Sequence, residues 1–113
     1  MPYIAVKTNV KISKEQEAAL VTKFGKAIEL IPGKNESALM LSFEEGCTLY
    51  FRGTNEDAIA MVEVKSFGKA SNEVYDKLTD VLSDILYQEL AIEPRNMFVK
   101  YDELAHWGKH HYI

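Results

Sequence analysis

Of its 113 residues the chain has only one cysteine, three prolines and six glycines, and each scarcity excludes something. With Cys47 alone, no internal disulfide can form, which suits a reducing compartment and rules out a disulfide-stapled scaffold. Basic charge is not in excess: 13 Lys and Arg stand against 17 Asp and Glu, a net charge of -4. No field therefore exists to gather nucleic acid or an anionic membrane. No apolar run approaches the roughly 20 residues of a membrane-spanning helix. The first residues lack the basic flank and apolar core of a secretion signal, so a cytoplasmic protein is expected, with export only by a route that needs no such signal. Neither a glycine-rich phosphate loop nor a nucleophile elbow is present. His106, His110 and His111 invite a metal reading, but no Glu or Cys pair completes a ligand set, and Gly108 interrupts the helix that their spacing requires; no metal is expected. What is left, 47% hydrophobic and 27% charged residues, is ordinary for one globular domain over 1–113.

The three prolines punctuate what is there. Pro2 opens a β-rich stretch, PYIAV at 2–6, followed by the polar KTNVKI. Ser13 with Gln16 has the form of a capping box, a hydroxyl N-cap with an amide side chain three residues on. Leu20, Phe24, Ala27, Ile28 and Ile31 then recur at the spacing of an amphipathic helix, which Pro32-Gly33 ends. ALMLSF at 38–43 reads as a strand. The same order returns at an offset of about 60 residues. AIAMVEV at 58–64 is a strand, Ser71 an N-cap, and Val74, Leu78, Val81, Leu82, Ile85 and Leu86 a second helical stripe. Pro94 stops the chain before a closing strand, MFVKY at 97–101.

Two strand–helix–strand copies, 2–45 and 58–103, are thus expected. They give an α/β fold by duplication: a four-stranded mixed sheet with two helices on one face, each strand pair parallel and each crossover right-handed. The strands at 38–43 and 58–62 are apolar at both parities, so both faces of the sheet should be buried. Two helices cover one face, and further copies of the chain are the simplest cover for the other. Residues 48–52 and the C-terminal tail are candidate short edge strands for pairing between subunits.

Several features line up in order over essentially the whole chain: PYIAVKTNV behind the initiator methionine, the duplicated β-α-β unit, Gly33-Lys34 after the first helix, SFGK at 66–69 before the second, and HWG at 106–108. Together they resemble the tautomerase superfamily, in its macrophage migration inhibitory factor branch. The resemblance implies a homotrimer whose three sheets form a central barrel, with a site at each subunit boundary. It also implies keto–enol tautomerisation of phenylpyruvate-like α-keto acids, without cofactor or metal. The family's catalytic base is an N-terminal proline, here Pro2, freed when Met1 is removed. The family's substrate-binding lysine maps onto Lys34. The turn residue whose backbone N–H meets the substrate carboxylate maps onto Phe67, and two wall positions from a neighbouring subunit map onto Phe98 and Lys100.

A proton moving between carbon and oxygen beside a carbonyl needs a base that is neutral near pH 7. A free α-amine titrates at about 8 and a secondary amine somewhat higher; apolar burial and nearby cations both lower it. Tyr3, Phe67, Phe98 and Trp107 are available as walls, and Lys34 and Lys100 as cations that would also hold a carboxylate and a developing enolate. Structural roles compete with these. Lys34 also suits the end of a helix, the phenylalanines suit a core, and strand alternation turns Lys100 away from Val99 and Tyr101. Three departures from the family pattern bear on substrate: Phe98 replaces a tyrosine, Lys100 an asparagine, and Lys109 the tail tryptophan, with Trp107 two places earlier. Three lysines would favour a more anionic substrate such as a dicarboxylate, and with it another superfamily reaction: decarboxylation, dehalogenation or hydration. The Cys-x-x-Cys of some relatives is absent, with Ala58 and Met61 in its places, so no thiol–disulfide activity follows. The alternative from a different class is a cytokine-like factor that binds a protein receptor after export.

Overall fold

The computed structural model describes residues 1–109; His110 and His111 lie outside the described residues. In chain order the elements are β1 (Tyr3–Thr8), α1 (Lys14–Ala27), β2 (Met40–Glu44), β3 (Ala60–Phe67), α2 (Asn72–Leu90) and β4 (Met97–Leu104). The strands form one sheet in the order β2-β1-β3-β4. β1 runs parallel to β2 and β3 parallel to β4, while the two halves meet antiparallel through β1 and β3. This is the duplicated mixed sheet that the sequence implies.

Local chemistry sets the helix ends. Ser13 Oγ accepts from the Gln16 backbone N–H at 3.1 Å and the Gln16 side-chain oxygen accepts from the Ser13 N–H at 2.9 Å, the reciprocal capping box. Ser71 Oγ accepts from Val74 N–H at 3.2 Å to start α2. α1 tightens into a 3-10 turn at Ile28–Leu30 ahead of Pro32. α2 stops well before Pro94, because Ala91 adopts a left-handed φ of 56° just past Leu90. β2 begins later than the pattern implies. Asn35 accepts from Ser37 N–H at 2.9 Å and caps a 3-10 turn, Glu36–Ala38, which takes Ala38 out of the strand.

Alternation divides the sheet. Ile4, Val6, Val62 and Val64 point at the helices, where Phe24, Leu78, Leu82 and Leu86 bury them fully; each such side chain contributes roughly 1.5–3 kcal/mol. At the α2 end, Glu103 of β4 accepts from Ala70 N–H at 3.0 Å and from the Tyr75 hydroxyl at 2.7 Å. The opposite face carries no helix and departs from the expectation of a continuous apolar surface. Met40 and Phe98 are exposed there, but between them lies a charged square. Lys65 meets Glu63 at 3.2 Å and Asp102 at 3.8 Å, and Lys100 meets Asp102 at 3.3 Å and Glu63 at 3.7 Å. The β3–β4 register, Glu63↔Lys100 and Lys65↔Asp102, creates it. Among the described residues, 48–52 join no sheet. Phe51 bridges Thr54 around a turn in which Arg52 and Gly53 both take positive φ. Among the described residues no helix is long and apolar enough to cross a membrane.

Candidate active site

Pro2 lies just ahead of β1 and is buried. Its carbonyl accepts from Met40 N–H at 3.0 Å, so the first pairing of β1 with β2 fixes the backbone at this residue. A hollow of about 440 Å³ opens beside it, lined by Met1, Pro2, Tyr3, Leu39, Met40 and Trp107, with Lys109 at its edge. That size fits a small organic acid. The walls come from three places: the start of β1, the 3-10 turn leading into β2, and the segment after β4. The Tyr3 hydroxyl shares a 2.7 Å hydrogen bond with Ser42 Oγ, which holds the phenol against β2. The Trp107 indole Nε1–H donates to the Met1 carbonyl oxygen.

The turn after α1 brings in the cation. Gly33 takes a φ of 83°, a conformation that only glycine adopts without strain, and Lys34 N–H closes the turn on Ile31 O at 3.0 Å. From there Lys34 Nζ reaches the other half of the fold and donates to the carbonyl of Phe67 at 2.9 Å. Continued two steps past its last pair, Tyr3↔Lys65, the β1–β3 register sets Pro2 level with Ser66, and Met1 with Phe67. The Met1 α-amine is accordingly pushed below its ordinary 8.0, first by burial, then by the Lys34 ammonium and the hydrogen bond with it, and last by Lys109. The Met1 amine is therefore biased toward its neutral, proton-accepting form.

Other expected site residues fall elsewhere. Phe67 is at the end of β3 and lines a neighbouring hollow with Leu104; its link to the site is its carbonyl, which accepts from Lys34 Nζ. Phe98 pairs with Met61, which pairs with Lys7; that is five residues along the strands from Pro2, roughly 16 Å at strand rise. Within one chain Phe98 instead packs edge-on against Phe51 at 5.1 Å between ring centroids, in a separate apolar hollow of about 230 Å³ with Tyr50 and Met97. Lys100 is held in the charged square. Neither reaches the Pro2 hollow of its own chain. Leu39 and Met40, which do line it, escape a sequence reading because they look like ordinary strand residues; the Asn35 cap that positions them is the available signal. Among the described residues no three His, Cys, Asp or Glu side chains gather as a metal set would.

The family model described as macrophage migration inhibitory factor matches residues 1–110. The chain belongs to the macrophage migration inhibitory factor family. Solved structures agree in fold. MIF2 of Leishmania major superposes with a TM-score of 0.89 at 23% identity, over 96% of this chain and 93% of that one. The macrophage migration inhibitory factor of Toxoplasma gondii gives 0.84 at 20% identity, over 91% and 90%. The macrophage migration inhibitory factor-like protein of Entamoeba histolytica gives 0.83 at 19% identity, over 96% and 94%. No curated protein matches the chain in sequence. Membership in the macrophage migration inhibitory factor family thus agrees with the resemblance read from the leading proline, the repeated unit and the two lysine turns.

Proposed function

We propose that the protein is a cofactor-independent tautomerase that interconverts the keto and enol forms of phenylpyruvate-like α-keto acids, with Pro2 as general base. The observation that carries this reading is the buried Pro2 in a hollow walled by Tyr3, Leu39, Met40 and Trp107, one residue from a Met1 α-amine that burial, Lys34 and Lys109 hold below its ordinary pKa. While Met1 is attached, the Pro2 nitrogen is an amide and cannot take a proton. Its removal leaves a secondary amine close to the same apolar walls and lysines, surroundings of the kind that disfavour an ammonium. The neutral amine takes the enol proton from oxygen and returns it to the adjacent carbon, or the reverse. Lys34 holds the substrate carboxylate and balances charge developing on the enolate. In a homotrimer, Phe98 and Lys100 of a neighbouring subunit would complete the wall that one chain leaves open.

The test is an ultraviolet assay of phenylpyruvate ketonisation on protein whose mass shows Met1 gone. Pro2→Ala is expected to lose at least about 10²-fold in kcat/KM, as removal of a general base does, and protein retaining Met1 to be inactive. Full activity of Pro2→Ala would overturn the reading. Lys109 beside Lys34 favours a second reading, in which the substrate carries two carboxylates and the reaction is a decarboxylation, dehalogenation or hydration by the same base. Dicarboxylates that bind no better than phenylpyruvate would end it.

A further inference from the structure

Resting on the reading of Pro2 as base, we propose that the indole N–H of Trp107 is the hydrogen-bond donor to the substrate's keto or enol oxygen. With Met1 in place, Trp107 Nε1–H donates to the Met1 carbonyl oxygen. That oxygen is one bond from the carbon attached to the Pro2 nitrogen, so ordinary amide geometry puts it roughly 2.3 Å from the nitrogen. Removing Met1 frees the lone pair and leaves the indole donor aimed at the space next to it. A tautomerase needs an oxygen in that space, because one nitrogen must reach both the oxygen and the neighbouring carbon in a single turnover. The enol or keto oxygen then takes the place of the Met1 carbonyl.

The other wall residues do not compete for this task. The Ser37 hydroxyl donates to Asn35 Oδ1, and the Tyr3 hydroxyl is engaged by Ser42 at 2.7 Å. Lys34 and Lys109 are cations suited to the carboxylate end. An indole nitrogen can only donate, and once Met1 is gone its half-buried N–H has lost its acceptor, so an incoming oxygen restores a hydrogen bond that is costly to leave unmade. A neutral donor also suits an oxygen that is a carbonyl on one side of the reaction and a hydroxyl on the other. Trp107 is thereby assigned a catalytic contact and not only an apolar surface.

Trp107 is the only tryptophan of the chain, so ¹⁵N-labelled, Met1-free protein gives a single indole cross-peak. Phenylpyruvate should move that proton downfield, whereas 3-phenylpropionate, which has the same ring and carboxylate but no α-oxygen, should leave it nearly in place. In the ketonisation assay Trp107→Phe is expected to lose on the order of 10²-fold in kcat, the usual cost of removing one oxyanion donor, with KM nearly unchanged. Replacing Trp107 by benzothienylalanine, which keeps the shape and exchanges N–H for sulfur, should lose as much and separates this effect from a packing defect. Wild-type turnover in both substituted proteins, or equal indole shifts with the two ligands, would overturn the assignment. If Pro2→Ala is inactive while Trp107→Phe is fully active, only the Trp107 contact fails. A fully active Pro2→Ala removes the base and this contact together.

Discussion

Lys34 is one side chain with two neighbours that matter, the Phe67 carbonyl at 2.9 Å and the Met1 α-amine, one residue from the proposed base. The carbonyl fixes where the ammonium sits, and the ammonium repels a proton from the amine. The sign follows directly. A cation beside an amine disfavours its protonated form and lowers its pKa, so Lys34→Met should raise the pKa of the catalytic base and move the acidic limb of the kcat/KM profile to higher pH. Losing a charged hydrogen bond to the substrate carboxylate should also raise KM about 30-fold, for roughly 2 kcal/mol. Lys109→Met should shift the limb in the same direction by less, since Lys109 is the weakest of the influences on the amine. A pH–rate series on the three proteins checks all of this. A limb that stays put in Lys34→Met would show that the base does not feel the lysine.

The helices and strands show which parts of a sequence can be read directly. Ser13 and Ser71 were legible as caps because capping is settled within four residues, and the helical stripes because their period is local. Ser13→Ala should cost about 1 kcal/mol in urea unfolding. Ala91 was not legible as a helix end: nothing in an alanine announces a φ of 56°. The left-handed conformation costs a residue with a Cβ about 1–2 kcal/mol, against about 0.4–1 kcal/mol that a glycine loses through its freer unfolded chain. Ala91→Gly should therefore stabilise the fold by roughly 0.5–1 kcal/mol in the same measurement. The charged square was hidden for another reason. Glu63, Lys65, Lys100 and Asp102 look like scattered surface charges until the parallel β3–β4 register sets them side by side. The site divides likewise: Pro2, Tyr3 and Trp107 share one hollow and Lys34 meets the Met1 amine, but the leucine and methionine that complete it depended on a 3-10 turn that only the Asn35 cap foretells.

Taken whole, the chain carries two hollows at opposite ends of one sheet, one around Pro2 and one around Phe98, and an open face that is charged at its centre and apolar at its margins. Such a face is ill suited to stack flat against a copy of itself, since the square's ion pairs would lose their water. It is better suited to an arrangement in which copies meet at their margins, each bringing the Phe98 end of one chain toward the Pro2 end of the next. This geometry predicts complementation. Pro2→Ala lacks the base but keeps the wall; Phe98→Ala keeps the base but lacks the wall, and each alone should be strongly impaired. Unfolded together in equal amounts and refolded as mixed forms of the proposed homotrimer, they should regain activity, because a site is whole wherever a Phe98→Ala chain supplies Pro2 and a Pro2→Ala chain supplies Phe98. Random assortment makes about one quarter of the sites of that kind. Recovery near that fraction, measured by phenylpyruvate ketonisation on the trimer peak of a sizing column, would place the active site between subunits. No recovery, from trimers shown by mass to contain both chains, would confine the site to one chain and leave Phe98 a packing residue of its own subunit.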